Sequence, residues 1–292
     1  MAFRLATIRT ARIPVAIVLA LALGAVASGH DLVGGQIERL TRSIAERPDA
    51  AALYLERAQL FRMNGEPQRA EDDLRTVERL APGSPAASLC RAALLDDAGR
   101  ELAARELLDG LLARQPRFAE ARILRAGVLT RLDLIEAAVA DYDTAIRDVR
   151  HPSPDLYLAR ARLVAEGGGA QDLRLALGAL DDGIARCGAV VSLEDLAIDL
   201  EVRRGAFDVA LARLARLEAL APRRETLLAR RGAILHAAGR EVEAWVAYSA
   251  ALDSLETMSP SRRRSPDVAA LEGRIREALR VPAPSAGSGG RP

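Results

Sequence analysis

The chain has 292 residues, with 41 basic and 40 acidic side chains and every one of the 41 an arginine. That near-neutral balance supplies no general electrostatic pull toward nucleic acid or anionic lipid, so neither is expected as a partner. Half of the chain is hydrophobic but only 3% is aromatic, and Ala and Leu carry the apolar share. These residues suit helices better than strands, and thin layers of closely approaching helices better than a bulky aromatic core.

Taken in chain order, residues 1–27 read as a secretory signal peptide. Arg4, Arg9 and Arg12 make a positive start, Ile13 to Ala27 is uncharged and mostly apolar, and Ala25-Val26-Ala27 fits the small-x-small cleavage pattern. Fifteen helical residues span roughly 22 Å, short of the ~30 Å hydrocarbon core, so cleavage and a periplasmic or secreted location are expected; an uncleaved N-terminal membrane anchor is the alternative. Without its three arginines the leaderless chain holds 38 of the 41 basic residues against 40 acidic ones. Cleavage after Ala27 would leave Ser28-Gly29-His30 at the N-terminus, whose amine, two amides and imidazole make a square-planar nitrogen set suited to Cu(II) or Ni(II). That is a minor alternative function, and no cofactor is otherwise expected.

Residues 28–50 read as a linker and a capping helix, Gln36 to Arg47, with Ile37, Leu40 and Ile44 on one face. A repeated unit follows. A small residue recurs in the middle of one helical segment (Ala58, Ala92, Ala126, Ala161, Gly232, with Ile198 in its place once). An Ala followed four residues later by Leu or Tyr recurs in the next: Ala70/Leu74, Ala104/Leu108, Ala138/Tyr142, Ala176/Leu180, Ala210/Leu214 and Ala244/Tyr248. Between them stands a turn residue, Gly65, Gly99, Asp133, Gly168, Gly205 or Gly239, and Pro48, Pro82, Pro116 and Pro222 close several units. Gly at such a turn adopts the left-handed conformation that ends a helix.

This pattern resembles the tetratricopeptide repeat. Unit one reads Tyr54-x2-Arg57-Ala58-x2-Phe61, then Ala70-x3-Leu74, then Pro82. The units are drawn as 51–84, 85–118, 119–153, 154–190, 191–224 and 225–258. The resemblance implies an all-α, right-handed α-solenoid of about six helix-turn-helix repeats, each burying its apolar face only by stacking on its neighbours. Gly167-Gly168-Gly169 is read as inserting about three residues into the turn of unit four. Unit five departs most, with Ile198 for the small residue and Glu201 for the aromatic. Residues 259–280 read as a basic linker, Ser259 to Ser265, and a C-terminal capping helix, Pro266 to Arg280; residues 281–292 read as a disordered tail.

An Arg precedes the small residue in five units: Arg57, Arg91, Arg125, Arg160 and Arg231. It is expected to lie between helices with its guanidinium on a carboxylate such as Asp73 or Asp141, rather than to form a ladder for a polyanion. No spacing typical of a nucleotide loop, a nucleophile elbow or a zinc protease is present, the three His are far apart, and neither Cys90 nor Cys187 has a neighbour at metal-ligand spacing. About three repeats separate the two cysteines, so they are read as free thiols. A non-enzymatic chain follows.

The resemblance further implies a concave groove, lined by the first helix of each unit, that takes an extended peptide or partner helix. Carried over residue by residue, the partner-binding positions are Leu55, Gln59, Arg62, Met63, Asp96, Asp97, Arg131, Arg162, Glu166, Asp199, Arg203 and His236, with Leu158, Ala165 and Ala229 also in the lining. A carboxylate clamp of the kind some relatives build from Lys and Asn is not expected, because Lys is absent and the single Asn, Asn64, sits in a turn. One or more exported proteins are the expected partners. A self-assembling structural subunit is the alternative.

Overall fold

The computed structural model describes residues 23–220 and 224–280, and among them are fifteen helices and no strand. A leading helix α1 (Leu23–Glu46) precedes six antiparallel pairs. They are α2 (Ala51–Met63) with α3 (Pro67–Leu80), α4 (Pro85–Asp97) with α5 (Glu101–Arg114), and α6 (Ala119–Arg131) with α7 (Ile135–Asp148). Then come α8 (Pro154–Ala165) with α9 (Ala170–Cys187), α10 (Val191–Arg203) with α11 (Phe207–Leu220), and α12 (Glu225–Ala237) with α13 (Glu241–Glu256). A single turn, α14 (Pro260–Arg263), and a last helix, α15 (Pro266–Leu279), follow. The chain is all-α and built of consecutive helical repeats. The helices group into two compact units, divided between Pro116 and Arg117.

The turns inside the pairs explain their regularity. Gly65, Gly99, Gly205 and Gly239 have φ between 67° and 76°, and Asp133 takes φ 59° in the same role. In each of these five turns the next residue's amide reaches back five residues: Glu66 to the Phe61 carbonyl at 2.8 Å, and Arg100 to Leu95, Leu134 to Leu129, Ala206 to Glu201 and Arg240 to Leu235, each at 2.9 Å. This bond closes a helix end around one left-handed residue and satisfies a carbonyl that the helix leaves over. Starts are marked as well: Ser84 Oγ accepts from the Ala87 amide and Ser153 Oγ from the Asp155 amide, each followed by Pro at the first helical position.

The small residues sit where helices cross. Ala58, Ala92, Ala126, Ala161, Ala70, Ala104, Ala138, Ala176 and Ala210 have no exposed surface. In the first unit Ile37 from α1 joins Phe61, Leu74, Val77 and Cys90 in one core. In the second, successive cores bridge neighbouring pairs: Tyr157, Leu180, Leu193 and Leu200 link the fourth and fifth, and Ile198, Leu214 and Ile234 the fifth and sixth. Leu271 and Ile275 of α15 cover Ala251 and Leu255 at the end.

Three expectations change. The leading helix begins at Leu23, not Gln36, so the backbone of residues 28–35 is helical rather than a linker, and α1 runs through Ala25-Val26-Ala27. The extra residues of the fourth pair lengthen α9 to 18 residues, whereas its turn, residues 166–169, is only one residue longer than the others. There the Asp172 carboxylate accepts the Gly169 amide (3.1 Å) and starts α9 early. The basic linker is not open chain: it holds α14, and its Arg262 and Arg263 reach Glu225 (3.4 Å) and Glu272 (3.0 Å). Residues 1–22, Pro222 and the tail 281–292 lie outside the described residues, as do the side chains of Ser28 and His30.

Candidate functional site

The arginine that precedes each small residue is used inside the fold. Arg57 donates from Nε and Nη2 to both oxygens of Asp73 (2.8 and 2.7 Å), and Arg125 does the same to Asp141 (2.7 and 2.8 Å). Such two-pronged bonds match the planar fork of Arg. The other three turn to the helix before them: Arg91 to Glu71 (3.2 Å), Arg160 to Asp143, and Arg231 to Glu218 (2.5 Å). The hydrogen bond to Asp73 raises the Arg57 pKa further, against the downward pull of burial. These guanidinium groups are neutralised in place, as the packing reading of the arginines requires.

The first helices of the pairs present a second set of contacts, made along the repeats rather than within them. In the first unit α2 packs against α4, and Arg62 bonds Asp97 at 2.7 Å. Around this ion pair stand Gln59 and Met63, exposed, with Leu55 and Asp96 half-buried; Met63 keeps 67% of its surface in solvent, unusual for so apolar a side chain. In the second unit α8 packs against α10, and Arg203 donates to the Ala165 carbonyl (3.1 Å). Arg230 on α12 reaches Asp195 and Asp199 on α10, both at 2.6 Å. Arg131, Arg162, Asp199, Arg203 and His236 are exposed on these first helices and Glu166 just past the end of α8, and His236 Nδ1 lies 2.8 Å from Glu241.

The structure thus brings Arg62 and Asp97 together; Asp199, Arg203 and His236 contact Arg230, the Ala165 carbonyl and Glu241 instead. Leu158 and Ala165 are corrected: at 6% and 3% exposed they belong to the packing between pairs, not to a lining open to a ligand, while Ala229 is 8% exposed. Among the described residues no group of three or more His, Cys, Asp and Glu could hold a metal ion, and no helix is long and apolar enough to cross a membrane. Cys90 and Cys187 are free thiols, and burial pushes the Cys90 thiol pKa up.

Reading the sequence missed a buried charge cluster in the fifth pair. Glu194 and Glu201 of α10 are 2% and 3% exposed and Arg213 of α11 is 7% exposed. Arg213 Nη2 donates to Asp181 of α9 (2.7 Å) and Nη1 to Glu194 (3.4 Å), while its Nε lies 3.7 Å from Glu201 and makes no hydrogen bond. Arg216 and Arg204 approach the same two carboxylates from the surface, at 3.1 and 2.5 Å. Burial lowers the Arg213 pKa, but the bond to Asp181 and the charges of Asp181 and Glu194 more than offset it, and the pKa rises. The signal was Glu201, which stands where the first unit carries Phe61 and the others Leu or Val: a carboxylate at a core position demands a buried cation.

Residues 37–85 and 91–155 match the sequence profile of the tetratricopeptide repeat. No curated protein matches the chain. Three solved structures share the arrangement. The C-terminal part of a tetratricopeptide-repeat-containing protein from Cytophaga hutchinsonii superposes with a TM-score of 0.59 at 11% identity, over 80% of this chain and 95% of that one. Yeast Tom70 superposes with a TM-score of 0.54 at 15% identity, over 82% of this chain and 46% of that one. Pseudomonas aeruginosa pilF gives 0.52 at 18% identity, over 69% and 89%. At such identities the likeness is one of fold. Residues 37–85 and 91–155 therefore carry tetratricopeptide repeats by profile, and the same antiparallel helix pair continues beyond them as far as Glu256.

Proposed function

We propose that the chain is a non-catalytic, exported scaffold that holds an extended peptide or partner helix against the face made by the first helices of its repeats. The observation that carries this reading is the division of labour among the charges. The arginines between helices are already matched to carboxylates, while Gln59, Met63 and Arg162 stand exposed on the first helices and Glu166 just past the end of α8. First helices with polar and charged side chains exposed, and with an exposed methionine in the first unit, suit a protein partner better than a uniform polyanion. Support for export comes from Arg4, Arg9 and Arg12 followed by the apolar stretch that ends in Ala25-Val26-Ala27, and exported proteins are then the partners.

A crosslinked pull-down of the processed protein from its own exported fraction tests the proposal, run beside an Arg131→Glu/Arg162→Glu double variant. A partner retained by the wild type and lost by the variant supports the face as the site. Recovery of the protein alone would overturn it. Self-assembly is the second reading, favoured by one feature: Val242, Trp245 and Val246, spaced as one stripe of α13, are 44–58% exposed. A concentration-dependent elution volume, abolished by Trp245→Ser, would put that reading first.

A further inference from the structure

Beside the last repeat, α12, α13 and α15 enclose a pocket of about 290 Å³. Its floor is Ala229, Tyr248, Leu271 and Ile275, and its charged rim is Arg230 and Arg274. The floor is fixed in place. Ile275 is 1% exposed and Leu271 8%, and α15 is tied to α14 through Glu272, which takes Arg263 at 3.0 Å. The Tyr248 ring lies against Gly232, where a Cβ would stand 2.7 Å from it. A preformed apolar pocket with a few charged groups at its edge is the usual form of a binding site.

The two sides of the rim differ in charge. Arg230 already meets two carboxylates, Asp195 and Asp199, at 2.6 Å each, which leaves that side with one surplus negative charge. Asp199 keeps 66% of its side-chain surface and Asp195 44%, so both can take a further donor. Across the pocket Arg274 is exposed and has no carboxylate partner among the described residues, Glu277 one helical turn away included. The pocket's own charged lining is thus Arg230 and Arg274; beyond Arg230 stand Asp195 and Asp199 of α10, whereas Arg274 faces solvent on the α15 side.

We infer that this pocket anchors an internal segment of a partner protein that carries a basic residue, an aliphatic residue and an acidic residue in succession. The aliphatic side chain enters over Leu271 and Ile275, the cation meets Asp195 and Asp199, and the carboxylate meets Arg274. Opposite charges at the two sides fix which way the segment lies, and a segment with two like charges meets repulsion at one end. This rests on the scaffold reading above and adds to it the chemistry of the partner.

The test titrates Ac-Arg-Leu-Glu-NH2 into the processed full chain and follows the methyl resonances of Leu271, Ile275 and Ala229 by NMR. These methyls should shift on saturation. Ac-Arg-Leu-Gln-NH2 and Ac-Glu-Leu-Glu-NH2 should each bind roughly threefold to fivefold more weakly, the range for an exposed Arg–carboxylate pair. Arg274→Gln should lower affinity for the Glu peptide by the same factor and remove its advantage over the Gln peptide. Unmoved methyls, or a Glu-over-Gln preference that survives in Arg274→Gln, would overturn the inference. If the pull-down partner is lost with Arg131→Glu/Arg162→Glu but kept by Arg274→Gln, the scaffold reading stands and the anchor fails. If the methyls titrate and no partner is ever recovered, the pocket's chemistry stands and the scaffold reading fails.

Discussion

Two glycines in one helix provide a controlled measurement of the packing between repeats. Gly178 and Gly183 both lie inside α9, where Ala would ordinarily stabilise by about 0.5–1 kcal/mol, because Gly loses more backbone freedom on folding. A Cβ at Gly178 meets nothing within 4 Å, so Gly178→Ala should gain that amount. A Cβ at Gly183 would stand 2.8 Å from Tyr157 Cγ and 3.0 Å from its Cβ, against the ~3.5–4.0 Å that carbon atoms prefer. The contact is with the base of the side chain, which cannot swing aside as the tip of a flexible chain can, and Tyr157 is itself 2% exposed. Relief must come from moving α8 relative to α9, at the cost of overpacking, about 1–3 kcal/mol. The backbone effect cancels between the two variants, so their difference isolates the packing term at about 1–3 kcal/mol. Urea unfolding followed by circular dichroism, with midpoints compared at equal slope, measures it. A Gly183→Ala protein as stable as Gly178→Ala would refute the close approach of Tyr157 to α9.

The remaining predictions concern charge and turn chemistry. Arg213→Met strands Glu194 and Glu201 in the core with only the surface arginines Arg204 and Arg216 beside them, and should cost about 3 kcal/mol; an unchanged thermal midpoint would contradict the cluster. Asp133, the one residue other than glycine with positive φ among the described residues, should gain about 0.5–1 kcal/mol on change to Gly, read as a higher urea midpoint. Burial raises the pKa of Tyr142, Tyr157 and Tyr248 above 10.0. The folded chain therefore keeps protons that the unfolded chain releases, and stability held below about pH 10 falls as pH rises from there through the folded values. Melting temperatures across that range should fall less steeply in Tyr142→Phe/Tyr157→Phe. Asp73→Asn should loosen α2 alone, and adding Glu71→Gln should loosen α4 as well, because the two carboxylates of α3 hold Arg57 on one side and Arg91 on the other. Amide hydrogen exchange resolved by helix reads the difference, and equal loosening of both helices by the single change would count against the assignment.

The helix pairs were legible in the sequence because their requirements are local. A turn that needs a left-handed residue every thirty-odd positions, and a crossing that admits only a small side chain, leave marks that no tertiary information is needed to see. The expected carboxylates for Arg57 and Arg125 were legible too, since Asp73 and Asp141 occupy the same place in alternate repeats. What stayed hidden depends on the partner across an interface. Whether Arg91 or Arg160 turns to its own second helix or to the preceding one is decided by where the carboxylate stands, at Glu71 and Asp143 rather than one helical face away. The same holds for Arg274: nothing near it in sequence shows that Arg230, from a helix more than forty residues earlier, already has its carboxylates while Arg274 has none among the described residues.

These two kinds of arginine have different consequences for how the array works. An arginine bonded forward or backward to a second helix makes that helix a shared element: α3 grips α2 and α4 at once, and α7 grips α6 through Asp141 and α8 through Asp143. In a stack whose stability is a sum of repeat and nearest-neighbour terms, such sharing places charge-assisted bonds in the interfaces, where apolar area between Ala-rich faces is small. The first helices are then free to carry residues that packing does not choose. That freedom is visible in the fourth and fifth repeats, where Arg162, Glu166 and Asp199 are exposed, and it is at such positions, not between the helices, that selection for a partner can act without cost to the fold.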